Sequence, residues 1–162
     1  MIRDEYNCSP PTLAAAMGAF EQSSAARRIL VMSGLSDSPK NSRARFRELG
    51  QRAARVADVA VFVSKHHGHH AVKAAIASGM KPECVLSLPG LYEAAEYLKS
   101  ELRGGDVVLL KGRTTDHLSR VFFAQFGPIG CWKTECRKRI VCDFCEELQP
   151  AFDLHEVRHT GR

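Results

Sequence analysis

Four short apolar runs recur along the chain without polar alternation: ILVMSG (29–34), VAVFVS (59–64), CVLSL (84–88) and VVLLKG (107–112). A strand with one wet face alternates apolar and polar residues. These runs do not, which is the pattern of strands covered on both faces of a parallel sheet. Between them the apolar positions fall at helical spacing, in PTLAAAMGAFEQ, SRARFRELGQRAARVA, HAVKAAIASG and LYEAAEYLKSELR. Ser9 before Pro10 and Pro11 predicts the cap and first turn of the first helix. Gly104 and Gly105 predict the end of the fourth. A last helical stretch, TDHLSRVFFAQF, follows the fourth run.

This order predicts an α/β fold: an open, mostly parallel, Rossmann-like sheet with right-handed crossovers, helices on both faces, and a short Cys-rich C-terminal appendage. A short first strand over residues 1–5 sets DEYN, Asp4 to Asn7, on the rim formed by the strands' carboxyl ends. Ligands of such sheets bind at that rim. SDSPKN, KHHGHH and KGRTTD also follow directly on strands. The chain has no GxxxxGK[ST] phosphate loop, no GxGxxG turn and no GxSxG elbow. The main supports for an ATPase, a dinucleotide oxidoreductase or an α/β-hydrolase are therefore missing from it.

At 162 residues the chain can bury one ordinary core. The expected division is an α/β domain over 1–127 and a basic, Cys-rich tail over 128–162. No apolar run approaches the roughly 20 residues that span a bilayer. MIRDEYN lacks the apolar core of a signal peptide, and six cysteines without a signal suit a reducing compartment. The cytoplasm is the expected location, with no membrane partner. The net charge of +5 concentrates in Lys133, Arg137, Lys138 and Arg139, with Arg158 and Arg162 beyond. A basic face of this kind can neutralise nucleic-acid phosphates; a solvated patch is the expected reading, and nucleic acid is not an expected partner.

In DEYNCSPPTLAAAM, an acid, Tyr-Asn and a Pro precede the first helix; in GDVVLLKGRTTDHLSRV, a Val-rich strand ends in Lys-Gly. The ordered pair resembles the C-terminal domain of the Mur ligases, nearest to the UDP-N-acetylmuramoyl-tripeptide–D-alanyl-D-alanine ligase branch. Asp4, Tyr6, Asn7 and Pro10 carry the first motif, and Lys111 with Gly112 the second. RRILVMSG is similar to the strand after the family's first helix. The resemblance covers roughly residues 2–127.

The resemblance implies a ligase that forms amide bonds with ATP and Mg²⁺. A central domain, absent here and supplied in cis or in trans, activates a carboxylate. The C-terminal domain closes over it and helps to hold an amino-acid or peptide amine. Asp4, Tyr6 and Asn7 would then touch the nucleotide, and Lys111 with Gly112 would meet phosphate or substrate. A carboxylate can accept from ribose hydroxyls, a Tyr ring offers a stacking face, and Asn both donates and accepts. Read alone, DEYN is equally an Asx-type turn with Tyr6 packed on the helix, and Lys111 a solvated strand-end lysine. After the second strand the chain reads SGLSDSP where the branch has Gly-Asp-Met, and Lys-Gly continues as Arg-Thr-Thr rather than Ser-Arg-Gly. The chain alone is expected to be inactive and monomeric: either the last domain of a longer ligase, or a detached domain acting as a zinc-stapled module that binds nucleic acid or protein.

Cys131, Cys136, Cys142 and Cys145 leave gaps of four, five and two residues. Four thiolates suit tetrahedral zinc, with an iron–sulfur cluster as the competing occupant and free thiols as the plain alternative. A structural Zn²⁺ would staple a tail that has little core. HEVRH (155–159) matches the zinc-protease pattern but lacks a further downstream ligand, and chance accounts for it. His66, His67, His69 and His70 could bind a metal or a phosphate, against an exposed polar loop as the expected reading. Cys8 and Cys84 read as core residues.

Overall fold

A computed structural model describes residues 1–148 apart from 134, 139 and 140. Its strands are β1 (Ile2–Asp4), β2 (Arg27–Met32), β3 (Val59–Val63), β4 (Val85–Leu88) and β5 (Asp106–Lys111). They form one wholly parallel sheet in the order β1-β5-β2-β3-β4. The helices are α1 (Pro10–Glu21), α2 (Ser42–Val56), α3 (Gly68–Ala77), α4 (Leu91–Glu101) and α5 (Ser119–Phe123). Among the described residues no helix is long and apolar enough to cross a membrane.

Two apolar layers explain why the strand runs do not alternate. Leu30, Met32, Ala60, Phe62 and Leu109 pack with α1, α2 and α3 on one face. Their neighbours Ile29, Val31, Val61, Val108 and Leu110 pack with α4 and α5 on the other. Every central residue is inside, so none needs to be polar. Arg27 grips the Asp106 carboxylate at 3.1 and 2.7 Å and fixes the starts of β2 and β5 against each other.

The α2–α3 contact is unusually close. A Cβ built on Gly50 would lie 2.1 Å from the carbonyl oxygen of Ala71. Glycine in mid-helix is normally a weakness; here it lets two helices touch backbone to backbone.

Two local expectations change. The Ser9 hydroxyl lies 3.2 Å from the Thr12 hydroxyl and caps no helix N–H. The stretch expected as one helix over 115–126 is broken into a 3-10 turn (Thr114–Asp116), His117 with φ 56°, and the short α5. The Asp116 carboxylate accepts from the Arg113 N–H at 3.0 Å, a local bond that competes with helix formation.

Past α5 the chain returns as a strap. Ile129 and Trp132 pack on the second layer, and the Trp132 ring meets Tyr92 edge-on at 5.2 Å. Gly130 N–H donates to the Leu148 carbonyl at 2.8 Å, and Arg3 of β1 donates to both oxygens of Asp143 at 2.6 and 2.9 Å.

Candidate functional site

The strand order reverses between β2 and β5, so their carboxyl ends open the crevice in which such sheets bind ligands. Ser33 follows β2, and its hydroxyl donates to Asp116 at 2.7 Å. Arg113 follows β5 and donates to the same carboxylate through Nε and Nη2, the latter at 2.6 Å. Burial pushes the Asp116 pKa up, but the Arg113 and Ser33 bonds outweigh it and hold the group below the usual carboxylate range. Gly112 is needed here: a Cβ on it would fall 2.3 Å from the Ser33 hydroxyl. Arg113 and Asp116 are site residues that the motif reading passed over. Their signal is an acid three residues after an arginine at a strand end.

The DEYN residues sit beside this crevice at the end of β1. Lys111 is completely buried, and its ammonium donates to Asp4 Oδ2 at 2.7 Å and to the Asn7 carbonyl at 2.5 Å. The solvated lysine expected from the residue alone is therefore not what the fold makes. Tyr6 is fixed through its carbonyl, which accepts from the Thr114 N–H (3.1 Å) and hydroxyl (2.9 Å). Its ring is 79% exposed, not packed on α1. The Asn7 side-chain oxygen accepts from Ser36 at 3.2 Å, which leaves its NH₂ group as a donor. The fold thus gathers Asp4, Tyr6, Asn7, Lys111 and Gly112 into one lip with a rigid backbone and an open aromatic ring. Just behind it Cys8 is buried, and burial pushes its thiol up to about 11, the wrong direction for a nucleophile.

A cavity of about 410 Å³ lies between the lip and the strap, with Asp4, Glu5, Tyr6 and Thr114 on one wall and Cys142 and Phe144 on the other. Phe144 is 75% exposed, a second free ring across from Tyr6. The expected zinc or iron–sulfur staple is not assembled: among the described residues no three metal-ligating side chains converge. Cys131 and Cys142 are buried with Leu148, with Phe123 and Cys145 packed at the margin, and Cys136 stands outside. A small apolar cluster and ion pairs hold the strap instead. Arg120, 1% exposed, donates to the Lys133 carbonyl from beneath it. Lys133 and Lys138 both turn onto Glu147, at 2.7 and 3.0 Å, so two cations of the basic tail are already paired. HEVRH, Arg139, Arg158 and Arg162 lie outside the described residues.

The strap's acids set its pH response. Arg3 holds the Asp143 carboxyl below its ordinary range, and Lys133 and then Lys138 hold Glu147 down to about 2. Both pKa values are lower folded than unfolded, so their contribution is complete above the unfolded values and vanishes as pH falls through the folded ones. Trp132, the sole tryptophan, reports the strap. In a His117→Asn background, which removes the half-buried imidazole 3.4 Å from the Cys142 thiol, its emission is expected to hold steady from about pH 7 to 5 and to move to the red only below about pH 4. A shift already complete at pH 5 would show that these carboxylates do not anchor the strap.

In α3, Gly68 opens the helix where a Cβ would lie 1.9 Å from the Ser87 hydroxyl. His66 and His69 are exposed, while His67 and His70 are half-buried. They stand on a different flank of the sheet from the lip.

Residues 1–114 match the family model described as Mur ligase, glutamate ligase domain. Among solved structures, a MurF ligase from Thermotoga maritima in complex with ADP is similar at 20% identity and a TM-score of 0.58. A MurF from Acinetobacter baumannii is similar at 19% identity and 0.64. Each likeness covers 75% of this chain and 26% of the other, so the chain spans about a quarter of their length. A domain assigned to a UDP-N-acetylmuramate:L-alanyl-γ-D-glutamyl-meso-diaminopimelate ligase from Haemophilus ducreyi is similar at 13% identity and 0.53, over 75% of this chain and 85% of that one. No curated protein shows a detectable match.

Proposed function

The chain belongs to the Mur ligase family through its glutamate ligase domain, and on that premise we propose that it is the nucleotide-closing half of an ATP-dependent ligase joining a carboxylate to an amine. The observation that carries this reading is the DEYN lip, whose backbone is bolted down while its recognition groups stay free. The Asp4 side chain is 38% exposed beside Lys111 and has an oxygen to offer a ribose hydroxyl. Tyr6 presents a ring face to a base, and Asn7 an NH₂ donor. These groups fit a nucleoside and not a triphosphate, whose phosphates and Mg²⁺ belong to a central domain. ATP supplies the activation of the carboxylate; this chain's residues orient the nucleoside and shut out water.

Within the family we favour the branch that extends UDP-N-acetylmuramoyl-tripeptide, in cytoplasmic peptidoglycan precursor assembly. The Tyr-Asn and Lys-Gly motifs and the likeness to two MurF structures support it. The SGLSDSP departure after β2 keeps the proposal at an amino-acid or peptide amine. Residues 128–162 are read as an appendage to this domain, of which the described part, up to residue 148, lies as a strap. Lys111, with both its bonds spent on the lip, acts by holding Asp4 and Asn7 in place.

The test is titration of a fluorescent ATP analogue with Mg²⁺ and a Mur-type central domain added in trans. The wild-type chain is expected to tighten binding, and Tyr6→Ala to weaken it about tenfold, a stacked base being worth about 1–3 kcal/mol. A wild-type chain that leaves nucleotide affinity unchanged would sink the proposal.

A further inference from the structure

We propose that the cleft between α2 and α3 is a binding site for an oligophosphate, a short chain of linked phosphate groups, on the far flank of the sheet from the nucleotide lip. The cleft has a volume of about 430 Å³. Arg43 and Arg47, one turn apart on α2, form one wall, and His70 and Lys73, one turn apart on α3, form the other. Gln51 and Ser78 add neutral donors at its far end.

The charge in the cleft is unbalanced. Among the described residues Arg43, Arg47 and Lys73 make no ion pair with a carboxylate. The other α2 cations in this stretch are occupied: Arg45 donates to the carbonyls of Lys40 and Ser38, and Arg52 to Glu48. Glu48, the one carboxylate of α2, is held by Lys40 and Arg52. β3 and β4, which lie under α3, bring no ionisable side chain. Like charges one turn apart repel weakly at exposed positions, and an anion in the cleft would relieve that repulsion.

His70 reads that field. Partial burial first, and then the charges of His69, Arg43, His67 and Lys73, hold its imidazole below the ordinary histidine value. The His67 ring stacks at 6.3 Å and the His69 ring lies at 3.9 Å, so His70, the one of the four histidines in the cleft lining, sits against two other imidazoles. Two cationic walls with a repeat of one helical turn suit successive phosphates better than a single anion, and each guanidinium can take two oxygens. The lining holds no Phe, Tyr or Trp, so apart from the His70 imidazole it lacks the stacking platform of a single-stranded nucleic-acid site.

The test is calorimetric titration of the full chain with sodium tripolyphosphate. Saturable binding is expected, at least tenfold tighter than inorganic phosphate, with the wild-type advantage over His70→Asn larger at pH 6 than at pH 8, a ratio from which the ligand's own protonation cancels. Arg43→Gln with Arg47→Gln, both exposed, is expected to weaken binding at least tenfold at an unchanged unfolding temperature. If that pair disturbs folding, Lys73→Gln serves as the second variant. Tyr6→Ala is expected to change nothing, which separates this site from the nucleotide lip. Absence of saturable tripolyphosphate binding would overturn the proposal, as would binding indifferent to Arg43, Arg47 and Lys73. A 12-nucleotide single strand that binds more tightly than tripolyphosphate at equal phosphate concentration would also overturn it, in favour of a nucleic-acid surface.

Discussion

Replacing Lys111 with Met is expected to destabilise the protein by about 2–4 kcal/mol and to loosen the lip. Lys111 is wholly buried, and its ammonium serves two acceptors, Asp4 Oδ2 and the Asn7 carbonyl. The ion pair itself accounts for little of this, because Asp4 is 38% exposed and water screens it. The larger part is the loss of the buried donor: the Asn7 carbonyl keeps only the Thr12 hydroxyl at 3.3 Å, and its tie to β5 is gone. Met fills the volume of the stem, so the packing change is small. Thermal unfolding measures the first effect, and amide exchange at Thr114, whose N–H meets the Tyr6 carbonyl, measures the second. If Lys111→Met left both unchanged and yet abolished nucleotide binding, Lys111 would be a phosphate ligand, as the family resemblance implies, rather than a clamp.

The second large effect is at Gly50. Gly50→Ala is expected to lower stability by about 2 kcal/mol, or roughly 4–8 °C in melting temperature. Alanine gains about 1 kcal/mol of helix propensity over glycine, so an exposed site would be stabilised by this change. The clash decides the sign. The new Cβ would stand 2.1 Å from a backbone oxygen and 2.9 Å from the Ala71 Cα, atoms that no rotamer change can move. Relief requires α2 and α3 to part, which strips packing from Phe46, Leu49, Ala71 and Ala75. A variant as stable as wild type would show that the helices can separate without loss.

Much of the architecture was legible in sequence because burial on both faces leaves a plain mark. VAVFV can be a central parallel strand and little else, and it is β3 with all five residues buried. The lip was legible as residue types: an acid, a ring and an amide on a strand-to-helix turn. What could not be read was which of its groups are consumed by the fold. That depends on Lys111 lying opposite Asp4 in the β1–β5 register, a pairing across 107 residues. The same limit hid Arg113 and Asp116, whose meaning comes from Ser33 on another strand. The cysteines were legible only as a spacing. It resembles a metal knuckle, whereas among the described residues no three ligands converge and Cys131 and Cys142 pack with Leu148, in a strap tied to β1 by the Arg3–Asp143 pair, 140 residues apart.

The sheet order also bears on how the protein is made. β1 is three residues long and, among the described residues, has β5 as its single neighbour. During synthesis from the N-terminus, Ile2 and Asp4 leave the ribosome more than a hundred residues before Leu109 and Lys111, their partners. β2 and β3 can pair early, with α2 and then α3 settling over them, while the lip waits for its other half. In a nascent chain the rim at the carboxyl ends of β1 and β5 would therefore take shape late, with Tyr6 untethered until Thr114 has emerged to hold it.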